Sequence, residues 1–196
     1  ATMKSTIRLV NANLTNMETV IINNPVLDDD YQTKKFLLKG ESFSAENKSK
    51  TIIFIGRLVP QKRVDHAIKV FIMAAKKIPD CKLLIVGDGP EKSKVLELIE
   101  KYQVSDKVIM VNYCDNVPKL LVESDCIINT SKFEGFGNVF IEGLAYCNNL
   151  ISYKSVGGAS ELLPLTNATL ILDGDIEGMS KAVIGTFMQE NNLELA

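Results

Sequence analysis

Residues 51–90 read TIIFIGRLVPQKRVDHAIKVFIMAAKKIPDCKLLIVGDGP, and the fold is decided in this stretch. Thr51 to Ile55 is a short apolar, β-branched run that stops at Gly56. A different period follows. Val64, Ala67, Ile68, Phe71, Ala74, Ala75 and Ile78 recur at spacings of three and four, which lays one apolar stripe along a helix. Lys82 to Val86 is a second β-like run, stopped by Gly87. Asp88, Gly89 and Pro90 then open a helix with Val95, Ile99 and Tyr102 inward, Pro90 suiting a first turn where its missing N–H costs nothing.

The alternation continues. Strands are predicted over Lys107 to Val111, Cys126 to Asn129, Leu150 to Tyr153 and Thr169 to Leu172. Helices are predicted over Val117 to Glu123 (Val117, Leu120 and Leu121 inward), Asn138 to Tyr146, Ala159 to Leu163 and Ile176 to Met188. Strand and helix in turn predict an α/β fold: a Rossmann-like, doubly wound parallel sheet with helices on both faces. The strands are near-continuously apolar, as in a sheet covered on both sides. Before Thr51 the pattern weakens. Thr2 to Met17 reads as one weakly periodic helix and Thr19 to Ile22 as a short β-like run. A polar segment from Asp28 to Lys50 follows, interrupted by Phe36, Leu37 and Leu38, and reads as a lead-in to the α/β domain.

Composition bounds the function. The 196 residues are 46% hydrophobic and 23% charged, a globular balance. Twenty-two basic against twenty-four acidic residues argue against a nucleic-acid binder that relies on bulk positive charge. No apolar stretch approaches the roughly 20 residues of a spanning helix, and Ala1 to Arg8 lacks the core of a signal peptide. Cys81, Cys114, Cys126 and Cys147 form no C-x-x-C pair and read as small core hydrophobes of a reducing compartment. With one histidine, His66, read as structural, no zinc site is expected.

Ligands of open parallel sheets bind beyond the carboxyl ends of the strands, so the loops there carry the candidate chemistry. In the first, Gly56 admits close backbone approach, and Arg57 and Lys62 bracket the loop with a planar fork and a point charge suited to phosphate. Taken alone, these are also ordinary solvated cations. The second, Gly87-Asp88-Gly89-Pro90, either admits a ligand or makes a plain strand-to-helix turn, the safer reading. It is no dinucleotide fingerprint, because Lys92 stands at the third glycine position. No Walker phosphate loop occurs, which removes most ATPases and GTPases.

The third loop runs from Ser131 to Ala145. Glu134 precedes Gly135, Phe136 and Gly137, glycines that free backbone N–H groups to meet a phosphate at the helix start. Glu142 follows eight residues later inside an apolar run, where a carboxylate is costly unless ligand hydroxyls, a cap or a lysine satisfies it. Gly143 within a helix points to close packing. Glu134 alone reads as a surface acid; the pair with its glycines reads as functional.

In order and spacing, four signals resemble the C-terminal lobe of retaining GT-B glycosyltransferases of family 4. They are Gly56-Arg57-Leu58 with Lys62, Val86 to Pro90, Glu134 and Glu142 as the E-x7-E element, and Val156-Gly157-Gly158 followed by Glu161. The resemblance implies a single GT-B lobe, with residues 1–25 as inter-lobe remnant and 26–196 as the nucleotide-sugar-binding domain. It implies a nucleotide diphosphate sugar as donor, UDP ahead of GDP, transferred with retained anomeric configuration to a glycan or lipid-linked acceptor. Arg57 and Lys62 would hold the departing diphosphate. Glu134, with Gly135, Phe136, Gly137, Asn138 and Val139, would meet the donor sugar and phosphates. Glu142 would accept from the ribose, and Asn112, Tyr113 and Cys114 would border the base, although Asn112 departs from the small residue expected there. No metal and no cofactor is implied. The acceptor site belongs to an N-terminal lobe, so the chain is expected to be a donor-binding half, inactive alone. The implied setting is cytoplasmic, at or near the inner face of a membrane, with room for peripheral contact by the full-length protein and no nucleic-acid partner. A GT-B nucleotide-sugar epimerase and a non-catalytic nucleotide-sugar-binding module are the alternative readings.

Overall fold

A computed structural model describes residues 50–114, 116–135, 138–147, 149–154, 157 and 163–193. Its elements follow the predicted alternation. They are β1 (Thr51–Ile55), a 3-10 turn (Pro60–Lys62), α1 (Val64–Ala75), β2 (Lys82–Val86), α2 (Lys92–Lys101) and β3 (Val108–Val111). Then come α3 (Val117–Val122), β4 (Cys126–Asn129), α4 (Asn138–Tyr146), β5 (Leu150–Tyr153), a second 3-10 turn (Leu163–Leu165), β6 (Thr169–Ile171) and α5 (Ile176–Leu193). The strands pair in the order β3-β2-β1-β4-β5-β6, and every pairing is parallel.

The period-2 geometry of a strand sends successive side chains to opposite faces. In β1, Ile52 and Phe54 enter one core with Ala67, Ile68 and Phe71 of α1, Val95 and Ile99 of α2, and Met179, Val183 and Phe187 of α5. Ile53 enters the other core with Leu121 and Val122 of α3 and Phe140, Ala145 and Tyr146 of α4. The inner strands β4 and β5 are buried at every position, as a doubly covered sheet requires, whereas the edge strands β3 and β6 are partly exposed. The two polar residues caught in those inner strands satisfy each other, Asn129 Nδ2 donating to Ser152 Oγ at 2.9 Å. Close packing at Gly143 is realised: a methyl there would sit 3.1 Å from Ile127 Cδ1, so α4 lies close on β4. Cys81, Cys126 and Cys147 are buried and Cys114 partly so.

Several details depart from expectation. Pro90 precedes α2 and is not in its first turn, because Glu91 N–H is turned to Leu58 O (3.0 Å) and the helix begins after it. Tyr102 ends that helix 39% exposed, with Lys101 Nζ over its ring. Val70 and Val122, outside the predicted stripes, are buried. Lys107 stays in the preceding turn through its bond to Val104 O, and β6 stops at Ile171 with Leu172 exposed. Helix α5 runs on to Leu193, its start capped by Asp175 Oδ1 accepting from Gly178 N–H at 2.8 Å. The predicted elements before Lys50 lie outside the described residues, as do Phe136, Gly137, Val156, Gly158, Glu161 and residues 159–162 of the predicted short helix.

Candidate functional site

The strand order places a topological switch at β1. The chain builds β2 and β3 on one side of it, then returns to lay β4 on the other. The helix after β1 covers one face and the helix after β4 covers the opposite face. A crevice is left beyond the carboxyl ends of β1 and β4, where such sheets bind ligands.

The first loop enters this crevice from β1. Arg57 is exposed and has no side-chain partner among the described residues, while Leu58 beside it is fully buried and anchors the loop. The 3-10 turn carries Lys62 back over the strand end, its aliphatic stem about van der Waals distance (3.6 Å) from where a Gly56 Cβ would lie. Lys62 Nζ meets Glu134 Oε1 in a largely buried ion pair. Glu134 is 7% exposed, and the same oxygen accepts from Ser131 Oγ at 2.6 Å. Charge-assisted bonds of this kind are the strong ones. The two loops are also joined along their backbones. Lys132 N–H donates to Gln61 O at 2.9 Å and Gln61 Nε2 donates to Phe133 O at 2.7 Å.

Glycine holds both loops from outside. Gly87 sits at φ 148°, and a Cβ there would lie 2.0 Å from Gly56 O. Gly157 sits at φ 121°, and its Cβ would lie 1.8 Å from Glu134 O. Only a residue without Cβ allows such contact. The Gly-Asp-Gly turn therefore owes its first glycine to packing on the Arg57 loop, with Leu58 N–H donating to Asp88 O at 2.9 Å.

The remaining predicted residues are distributed around this centre. Gly135 is open, with nothing within 4 Å of a Cβ, and Asn138 is exposed at the start of α4 with Val139 half-buried beside it. Glu142, one turn on, is half-buried, and no described residue pairs with it. Burial pushes its carboxyl above the usual carboxylate range. Asn112, Tyr113 and Cys114 follow β3, two strands away from β1 on the same carboxyl edge. Tyr113 is 81% exposed, and Asn112 Oδ1 accepts from Lys92 Nζ at 2.6 Å. No contact joins these three to the Lys62–Glu134 pair among the described residues.

Sequence reasoning gave no role to Ser131, Thr130 and Gln61, which hold the loops together. A hydroxyl three residues before Glu134 was the available signal for Ser131. His66, read as structural, has its Nδ1 3.2 Å from Tyr153 Oη and its ring edge-on to that tyrosine. Burial pushes the Tyr153 phenol up to about 12 and lowers His66 from its ordinary value, against the pull of Asp65. Among the described residues no group of three His, Cys, Asp or Glu is placed to hold a metal, and no helix is long and apolar enough to cross a membrane.

Among the described residues the crevice thus offers a guanidinium without a side-chain partner, a lysine shared with a buried carboxylate, and an unpaired carboxyl on the neighbouring helix. The chain is similar to N-acetyl-alpha-D-glucosaminyl L-malate synthase of Bacillus anthracis, 30% identical over 151 residues, which cover 76% of this chain and 39% of that protein. It therefore spans about two fifths of that relative's length. It superposes on the pneumococcal O-GlcNAc transferase GtfA, solved with UDP and GlcNAc, at a TM-score of 0.68 and 21% identity, over 99% of this chain and 38% of that one. It also matches the C-terminal domain of a glycosyl transferase group 1 family protein (LpcC) from Francisella tularensis, with a TM-score of 0.64 and 19% identity, over 76% of this chain and 87% of that domain. The fold is that of one Rossmann-like lobe of a GT-B glycosyltransferase. The sequence model described as glycosyl transferases group 1 matches residues 39–194, and the chain belongs to that family.

Proposed function

We propose that this chain is the donor-binding half of a retaining glycosyltransferase. It takes a nucleotide diphosphate sugar, UDP ahead of GDP, and transfers the sugar to a glycan or lipid-linked acceptor held by a second lobe. The carrying observation is that Arg57, exposed and without a side-chain partner among the described residues, shares the loop after β1 with Lys62, which is bound to Glu134 and through it to Ser131. A diphosphate leaving group needs positive charge that is already in place. Arg57 supplies a fork for two phosphate oxygens, and Lys62 a point charge held near them. No metal is required in this reading, because the two cations carry that role.

Glu134 has two tasks. It holds Lys62 until the phosphate arrives, and it presents a carboxylate to the donor sugar at the mouth of Gly135. Glu142 meets the ribose: a half-buried carboxyl with no partner among the described residues gains most from two hydroxyl donors. Catalysis is then positioning and charge stabilisation, with front-face attack and the departing phosphate drawing the acceptor proton. The UDP bound to the pneumococcal relative is consistent with that nucleotide.

Calorimetric titration with UDP, GDP and their sugars tests the reading. One diphosphate binds, and Arg57→Ala weakens it by about tenfold or more, as expected for lost bonds to a charged group. Glu142→Ala weakens it too, with the fold intact by circular dichroism. Equal affinity in wild type and both variants overturns the site.

A further inference from the structure

Lys62 and Glu134 are 72 residues apart, and something must hold them in register. Arg63, the residue after Lys62, is in the left-handed region at φ 48°, ψ 52°, and no side chain caps α1 there. A residue with a Cβ pays a steric cost for that conformation. The turn throws two neighbouring side chains apart: Lys62 goes to Glu134, and Arg63 goes back along the sheet. Arg63 Nε donates to Thr130 O at 2.9 Å, Arg63 Nη2 pairs with Asp173, and the guanidinium lies 5.2 Å over the Tyr153 ring. Thr130 returns the contact. Its fully buried hydroxyl is shared between Lys62 O at 2.8 Å and Arg63 O at 2.9 Å. Each side chain therefore grips the other's main chain. Arg63 directly follows Lys62, and Thr130 directly precedes Ser131, whose hydroxyl bonds Glu134.

We infer that Arg63 and Thr130 form a clamp that positions the diphosphate lysine. Arg63 is a positioning residue: it fixes the β1 loop to the β4 loop, and through Asp173 to the segment entering α5, so that Lys62 Nζ is held at Glu134 before donor binds. The claim about nucleotide rests on the donor-binding reading above; the claim about Lys62 does not. The strained backbone is retained because glycine, which would relieve it, has no guanidinium to reach Thr130 O.

The test uses Arg63→Gly, Thr130→Val and Thr130→Ser. The first readout needs no ligand: the Lys62 ammonium resonance in a nitrogen-15 spectrum, assigned by its loss in Lys62→Met. The clamp predicts that this resonance is sharp in wild type and in Thr130→Ser, and lost to exchange in Arg63→Gly and Thr130→Val. The second readout is UDP or GDP affinity against that of the nucleoside. The diphosphate weakens by about tenfold in both disrupting variants while the nucleoside binds unchanged, because the loss is confined to the phosphate end. A melting temperature held or raised in Arg63→Gly separates this from unfolding. If Arg63→Gly does not fold, the Thr130 pair decides alone. If wild type binds no nucleotide, the donor reading falls and the ammonium resonance still decides the clamp. A Lys62 resonance that stays sharp in the folded disrupting variants overturns it.

Discussion

Replacing Gly87 by alanine asks more of this fold than one methyl suggests. The new Cβ would stand 2.0 Å from Gly56 O and 2.9 Å from Gly56 C, both backbone atoms, at a φ of 148°. The Gly56 loop must retreat by more than about 1 Å to restore a normal carbon–oxygen contact. That loop hangs on Gly56 N–H to Val86 O at 3.0 Å, Leu58 N–H to Asp88 O at 2.9 Å and Glu91 N–H to Leu58 O at 3.0 Å. Losing two of these costs about 2 kcal/mol, and the backbone strain adds about 1–3 kcal/mol. The expected loss is therefore about 3–5 kcal/mol, a large part of a domain's total stability. In a chain of this length that lowers the melting temperature by about 6–20 °C. Urea unfolding followed by far-ultraviolet circular dichroism measures it as a lowered midpoint with an unchanged slope. Gly185→Ala is the control. Nothing lies within 4 Å of a Cβ at Gly185, inside α5, so alanine there stabilises by about 0.5–1 kcal/mol. If Gly87→Ala melts with wild type, or no lower than Gly185→Ala, the close approach of the two loops is not what the structure states.

Two pH measurements follow. Glu142 has its carboxyl raised by burial above the ordinary 4.5, so the folded chain is penalised once that group ionises. Glu142→Gln should therefore equal wild type in stability below about pH 4.5, gain on it as the pH rises from there to the raised folded value, and keep that full gap above it, as urea midpoints measured across pH reveal. His66 is lowered from 6.5, chiefly by desolvation. The fold holds it neutral, so its contribution to stability is present above pH 6.5 and is lost as the pH falls through that value toward the folded one. Being the chain's single histidine, it gives one unambiguous imidazole signal by nuclear magnetic resonance. A midpoint at or above 6.5 contradicts the burial argument.

The parts of the fold that were legible share a physical character. β1, β2, β4 and β5 begin and end where the apolar runs do, because a doubly covered strand must be apolar at nearly every position and glycine or a polar residue ends it. The α1 stripe was legible from its 3.6 period. Errors gathered where a neighbour decides. Pro90 falls outside α2 because Leu58, 33 positions from Glu91's side of the turn, takes a backbone donor there. Val122 is buried because α3 packs with α4 over Ile127 and Leu150. At the candidate site, residue types were readable and partners were not. Glu134 alone reads as a surface acid, yet Lys62, Ser131 and the press of Gly157 make it a buried one.

The sequence by itself determined the alternation of strand and helix, the parallel two-faced sheet, and the loops that carry cations and carboxylates. Periodicity, burial and chain-breaking residues are properties of short windows, so they survive without a partner. The tertiary structure alone decided that β4 returns beside β1, that Lys62 meets Glu134, and that Arg63 turns away to grip Thr130. Those outcomes rest on contacts between residues 67 to 74 positions apart. No local window contains both ends of such a contact; packing of the crossover helices on opposite faces is what brings them together.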